Sequence, residues 1–292
     1  MDYYRSSSEF TDLRNYKDLL LNCSNQLDEI CAFAQNLLIH AYWLDKYQYS
    51  VSESVKHQEM QLRTIVEILD VATAKNKNIL EPSRTPPQKV ISICRDFSLM
   101  VCSILRAKEI PARIRCGFAT YLTPDQFEDH WVCEYWNKET ANWAKVDAQL
   151  DEIHLKYLKI DFDICNVPND KFLFAGEAWE LCRNGKENPA RFGIQGLTGL
   201  SFIKANVIRD LFALRKIEML PWDMGWGILN GSLVEIPDAT EMLFLDEIAA
   251  ISRASDEIQA MNAVQSKQLK LPNNWNWSQS PTIGQLINSS NT

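Results

Sequence analysis

The chain has 292 residues, of which 46% are hydrophobic and 23% charged, and its net charge is -8. This is the composition of a folded globular protein and excludes a disordered chain. The acidic balance and the lack of a Lys/Arg cluster argue against nucleic acid as a partner, because a phosphate backbone is bound through basic patches.

The 8 cysteines stand at positions 23, 31, 94, 102, 116, 133, 165 and 182, none in C-x-x-C spacing. That spacing offers neither a zinc knuckle nor a redox pair, and no metal site is expected. The start, MDYYRSSSEF, shows no basic stretch followed by an apolar one, and no apolar run reaches 18 residues. The expectation is a cytoplasmic protein with free thiols and no membrane span.

Residues 1–80 read as a helical region. Leu19, Leu20, Cys23, Leu27 and Ile30 follow the 3.6 period, and a second stretch from about Val55 to Ala74 carries Leu62, Ile65, Val66 and Leu69. The prolines of Glu81–Pro87 end it and mark a linker or rigid loop. Helical spacing returns from Val90 to Lys108, with Phe97, Val101, Ile104 and Leu105 on one face and Ser92 as candidate N-cap. After Pro111 the period changes to two, so Ile114, Cys116 and Phe118 alternate with Arg113 and Arg115 in a half-buried strand. His130–Trp136 and Asn142–Asp147 read as further strands joined by the loop Asn137–Thr140. Two helical stretches, Ile203–Leu220 and Thr240–Met261, follow in a C-terminal region over 161–265, and 266–292 reads as an irregular tail. The stretch Gly193–Gly199 lacks G-x-G-x-x-G order and reads as a turn-rich loop rather than a nucleotide site.

Chemistry concentrates in the middle. Cys94 falls in the first turn of a helix, where unpaired backbone N–H groups favour a thiolate and offer donors to an oxyanion. His130 opens one strand and Asp147 closes the next. With a four-residue loop at Asn137–Thr140 their indices, summing to 277, place them directly opposite each other on one face. A carboxylate there orients the imidazole and stabilises its cation.

Cys94-Arg-Asp-Phe-Ser98, Ile110-Pro-Ala-Arg113 with Gly117-Phe118, His130-Trp-Val-Cys-Glu-Tyr135 and Trp143-Ala-Lys-Val-Asp147 occur in that order. Together they resemble the cysteine, histidine and aspartate blocks of the transglutaminase-like superfamily. The resemblance covers about residues 90–150 and departs from the family at Glu109, where glycine is common, and at Ala148-Gln149. It implies an α+β, papain-like core over 88–160, a nucleophile helix on an antiparallel sheet with N- and C-terminal helical additions. It also implies a catalytic triad of Cys94, His130 and Asp147 that works without metal or organic cofactor on an amide- or ester-bearing substrate. Asp96 is then a capping or supporting residue, or an exposed first-turn carboxylate. Gln88 is a loop amide upstream of the nucleophile, and no second oxyanion donor is assigned.

The alternative is a non-catalytic scaffold of the same fold that binds a protein or peptide. The peptide N-glycanase branch is disfavoured because its paired C-x-x-C ligands are missing. His40, His57 and His154 lack metal-ligand spacing and read as surface or core histidines. The motifs do not decide between water and an amine as acceptor, since acylation is common to both. Trp179, Trp222 and Trp226, in a glycine- and aromatic-rich segment, are expected to wall the cleft and contact a small acyl donor. The oligomeric state is not legible.

Overall fold

The computed structural model describes residues 1–22, 24–229, 237–255 and 257–280. The expectations for Cys23 and for the tail beyond 280 lie outside the described residues. The chain forms two units, Met1–Ile114 with Trp131–Pro168, and Arg115–His130 with the residues from Asn169 onward.

In chain order the first unit holds α1 (Lys17–Leu21), α2 (Leu27–Leu37), β1 (Leu38–His40), α3 (Glu53–Glu59), α4 (Ile65–Lys75), β2 (Val90–Ser92) and α5 (Cys94–Ala107). The strands β3 (Ala112–Ala119) and β4 (Phe127–Asn137) run through both units, and β5 (Asn142–Val146) and α6 (Glu152–Leu158) complete the first. The second adds β6 (Phe172–Phe174), α7 (Ala175–Arg183), β7 (Phe192–Ile194), β8 (Leu197–Thr198), α8 (Leu200–Leu214), α9 (Ala239–Ala254) and α10 (Glu257–Val264). No helix among the described residues is long and apolar enough to cross a membrane.

In the first unit β1 pairs in parallel with β2, and β4 pairs antiparallel with β5 from Cys133↔Val146 to Asn137↔Asn142. The hairpin loop is therefore 138–141, one residue later than expected. The helix expected over Val90–Lys108 divides in two. Val90 and Ile91 are β-branched and enter a ladder with β1, and only from Cys94 does the chain turn helical. Its N-cap is Ile93, and Ser92 stays in the strand with its hydroxyl on the Val90 carbonyl at 3.2 Å. The stretch Val55–Ala74 also divides, because Thr64 and Glu67 form a capping box that starts a new helix. Thr64 N–H donates to Glu67 Oε2 at 2.8 Å, and Glu67 N–H donates to Thr64 Oγ1 at 3.2 Å. The proline-rich stretch is a fixed loop. The buried Arg84 guanidinium donates to the carbonyls of Ala72, Gln88, Asn76 and Asn78 at 2.8–3.1 Å.

Two periodicity readings change on packing. Arg95 through Arg106 are all buried, so α5 is enclosed on every side, against α1, α2, α4 and β2, rather than amphipathic. All of β3 is buried as well, because Arg113 is neutralised by Glu134 (2.7 Å) and Arg115 by Asp210 (2.8 Å).

The far end of α5 is a Schellman turn. Ile110 N–H donates to Leu105 O and Glu109 N–H to Arg106 O, both at 2.9 Å, before Pro111 ends the helix. Glu109 occupies the left-handed position with φ 59°. This is the physical reason a glycine is common there, since only glycine enters that region without a Cβ penalty.

In the second unit β3 pairs with β6, β4 with β7 in parallel, and β7 with β8. The expected Gly193–Gly199 loop is thus a small hairpin, and Gly199 (φ 103°) is the N-cap of α8. The stretch Thr240–Met261 is two helices, α9 ending at the left-handed Ser255. Helices α7, α8 and α9 pack together, and α8 is buried from Ser201 to Leu214. Gly176 lets α7 approach α9 so closely that a Cβ would stand 2.2 Å from the Ala249 carbonyl oxygen.

Relieving the left-handed strain at the helix end should stabilise the protein. Glu109→Gly is expected to raise the unfolding free energy by about 1 kcal/mol in urea denaturation. A loss of stability would show that the Glu109 side chain contributes more than its backbone costs.

Candidate active site

Cys94 is the first residue of α5, and the first unit fixes it there from both sides. Behind it, His40 stands beside Ser92 in the β1–β2 ladder, and Ala41 N–H extends that ladder to Ser92 O at 2.8 Å. Ile91 N–H donates to the buried Glu59 carboxylate at 2.7 Å, which Lys75 Nζ neutralises at 2.7 Å. Ahead of it, Asp96 closes the turn. Its Oδ2 accepts from Ile93 N–H at 3.0 Å, while Asp96 N–H donates to Ile93 O at 2.9 Å. Asp96 is 1% exposed, which replaces the exposed-carboxylate reading with the capping one. Burial pushes its carboxyl up, and the adjacent Arg95 guanidinium at 3.0 Å opposes that shift. Arg95 is itself fully buried and donates onward to Arg63 O.

Ser98, one turn along, lies 3.0 Å from Trp131 O and 3.2 Å from Cys94 O. The first turn of α5 is thereby tied to β4 at the residue that follows the candidate histidine. The Cys94 thiol is half-exposed at a helix start, where the aligned backbone dipoles favour a thiolate.

Asp147 follows β5 directly and is 1% exposed. Its Oδ1 accepts from Gln149 N–H at 3.1 Å, and its own N–H donates to Ile164 O at 2.9 Å. His130 lies in β4 and is also 1% exposed. In the second unit its ring meets Tyr121 and Phe172 edge-on, at 6.0 and 6.3 Å between centroids. The preceding Asp129 accepts from Asn206 Nδ2 at 2.7 Å. The β4–β5 register sums to 279 rather than 277, as in Cys133↔Val146. Continued by one place it pairs Asp147 with Val132. Direct opposition of His130 and Asp147 is therefore corrected to a two-residue offset, and the strand's alternation keeps His130 and Val132 on one face.

The seven cysteines among the described residues are free. Burial drives the Cys133 thiol well up and pushes the half-exposed Cys182 to about 12. Cys31 is also driven up, first by its contact with Cys165 and then by burial, and that same contact draws the half-exposed Cys165 down. Cys165 is thus half-exposed, whereas Cys102 and Cys133 are buried.

Gln88 is engaged locally, its Oε1 accepting from Thr85 N–H at 2.9 Å and from the Thr85 hydroxyl at 3.0 Å. His40 and His154 are core histidines at 8% and 0% exposure, and His154 Nδ1 is 2.8 Å from Asp151. His57 is half-exposed, 3.5 Å from Glu53. Among the described residues no group of three or more His, Cys, Asp or Glu is placed to hold a metal ion. The three tryptophans belong to the second unit and are 1–4% exposed. Trp179 Nε1 donates to Asp246 at 2.7 Å and Trp226 Nε1 to Leu269 O at 3.1 Å.

The residue that periodicity did not single out is Tyr42. It follows β1, half-buried, with Lys56 Nζ 4.9 Å from its ring centre. Burial first, and then the charge of Cys94, hold its phenol up to about 12. No sequence motif marks it, because its link to Cys94 runs through the pairing of two three-residue strands.

Removing the closing carboxylate should be costly. Asp96→Ala removes the carboxylate 3.0 Å from the buried Arg95 guanidinium and is expected to lower the unfolding free energy by about 3–5 kcal/mol in urea denaturation. A loss below about 1 kcal/mol would mean that the other partners of Arg95, the Arg63 carbonyl among them, suffice.

The model of the transglutaminase-like superfamily matches residues 39–148. No curated protein sequence matches the chain. Among solved structures, a chain described as a "Putative Cysteine Protease from Cytophaga hutchinsonii" aligns at 19% identity and a TM-score of 0.28, over 50% of this chain and 40% of that one. The present chain thus spans well under half the length of that neighbour. The fold is α+β with a transglutaminase-like, papain-like core, and residues 39–148 are the part of the chain similar to the transglutaminase-like superfamily.

Proposed function

We propose that the protein is a cysteine acyltransferase or amide hydrolase that works through a thioester on Cys94, with His130 as general base and acid and Asp147 as its orienting carboxylate. The observation that carries the reading is the half-exposed thiol held as first residue of an enclosed helix whose first turn is tied to β4. Burying a helix whole while leaving its first side chain accessible is an arrangement that core packing alone does not require. In this reading His130 takes the thiol proton and the Cys94 Sγ attacks the acyl carbon. The carbonyl electron pair moves to oxygen, and collapse expels the amine, which leaves with the proton from the imidazolium. Water or a second amine then attacks the thioester by the same steps reversed. The Cys94 N–H, at the start of the helix, is the nearest backbone donor for the oxyanion.

A brief iodoacetamide pulse near neutral pH, with mass mapping of each cysteine, tests the ion pair. Cys94 should be alkylated ahead of Cys182 and the four buried thiols. His130→Gln should then slow Cys94 by roughly tenfold, the ratio of a mostly ionised thiol to the few per cent thiolate of a free one. Cys165 serves as internal reference and should not change. Equal Cys94 rates in the two proteins would remove His130 from the mechanism.

The same reading carries Trp179, Trp222 and Trp226 as substrate-side residues. Substituting each by Ala should lower kcat/KM by more than the accompanying fall in melting temperature explains. Parallel losses of both would leave the three as packing residues of the second unit.

A further inference from the structure

We propose that Tyr42 is a further catalytic residue, whose phenol O–H donates a hydrogen bond to the oxyanion formed when Cys94 attacks an acyl carbon. The proposal rests on the nucleophile reading of Cys94 and supplies the second oxyanion donor that the motifs leave open.

Three observations inside the first unit carry it. The β1–β2 ladder runs parallel, with Leu38↔Val90, Ile39↔Ile91 and His40↔Ser92, and Ala41 N–H continues it onto Ser92 O at 2.8 Å. Two residues beyond each last partner stand Tyr42 and Cys94, so one ladder delivers both side chains to the same end of the strand pair. Second, the two groups feel each other electrostatically, since the charge on Cys94 is among the causes that keep the phenol protonated. Third, the Tyr42 hydroxyl has no hydrogen-bond partner among the described residues, while its ring has two close neighbours. Lys56 Nζ lies 4.9 Å from the ring centre and the His40 ring 5.9 Å away. A half-buried phenol with a fixed ring and an unused O–H is a preorganised donor, which is what stabilisation of a developing oxyanion requires.

The chemistry balances without any added reagent. The Cys94 Sγ–C bond forms as the carbonyl π pair moves to oxygen, and the phenol lends its hydrogen bond without giving up its proton. When the tetrahedral adduct collapses, the C=O double bond returns, the bond to the leaving group breaks, and Tyr42 is released unchanged.

Two reagents separate this role from a merely structural one. Acetylation of Cys94 by p-nitrophenyl acetate passes through an oxyanion, whereas alkylation by iodoacetamide does not. Both are followed at Cys94 by mass mapping in the wild type and in Tyr42→Phe, which keeps the ring and its contacts. Acetylation should fall by about 10²-fold, the usual loss for one oxyanion donor, with alkylation unchanged. Equal acetylation rates would overturn the proposal and leave Cys94 as nucleophile. A parallel fall in both reactions would also overturn it, by showing that Tyr42 acts on the thiol. A wild-type Cys94 that neither reagent modifies ahead of the buried cysteines would overturn the nucleophile reading itself, and the role of Tyr42 with it.

Discussion

The first unit depends on one buried carboxylate. Asp96 stands where burial favours its neutral form, yet it accepts from Ile93 N–H and is neutralised by Arg95 on the same turn. A cap of this kind contributes about 1 kcal/mol on an exposed helix, and more where the alternative is an unpaired buried amide. Its consequence is positional. Because Ile93 is held outside the helix and Asp96 inside it, the first helical residue is Cys94, and the thiol stands where the backbone N–H groups are directed. At the other end the Schellman turn at Glu109 and Ile110 stops the helix in front of Pro111 and delivers the chain into β3. Between those two ends every side chain from Arg95 to Arg106 is buried, so the helix has no freedom to slide.

Buried arginines do much of the joining within each unit. In the first, Arg106 donates to Ala112 O and Thr11, Arg113 reaches Glu134 beneath the Trp143 ring, and Arg84 gathers four carbonyls of the loop before β2. In the second, Arg115 is held by Asp210, which also accepts from Cys116 N–H and the Ser252 hydroxyl. Such pairs add little net stability over an apolar core, because desolvation offsets their attraction. Their geometry is nonetheless demanding. A guanidinium satisfied by several named carbonyls tolerates one register and one helix position, which suits a site whose reactive groups come from separate elements.

The same constraint explains why one thiol differs from its relatives. Cys31, Cys102, Cys116 and Cys133 are buried as small apolar fillers, and burial drives the Cys133 thiol well up. Cys165 is half-exposed and takes support from Cys31. Cys94 alone among the described cysteines joins partial exposure to a helix start.

By itself the sequence determined what local chemistry determines. The Cys94 helix, the His130 and Asp147 strands, the turn at Ile110-Pro111 and the order of the three blocks were legible, because side-chain period and proline act over a few residues. Glu109 was legible as a departure, and its left-handed φ gives the physical cause. The Thr64–Glu67 capping box was present in the sequence too, and it divides a helix that periodicity alone runs together. Tertiary structure decided the rest. The short strands Leu38–His40 and Val90–Ser92 are too brief to show a period and exist only as each other's partners. The register of β4 on β5 turns on placing the same four-residue loop one residue later, which no local preference sets. The arginines of β3 look solvent-facing by alternation and lie inside because Glu134 and Asp210 arrive from elsewhere in the chain. Tyr42 has no motif, since what sets it apart is a neighbour 52 positions away that only the folded ladder supplies.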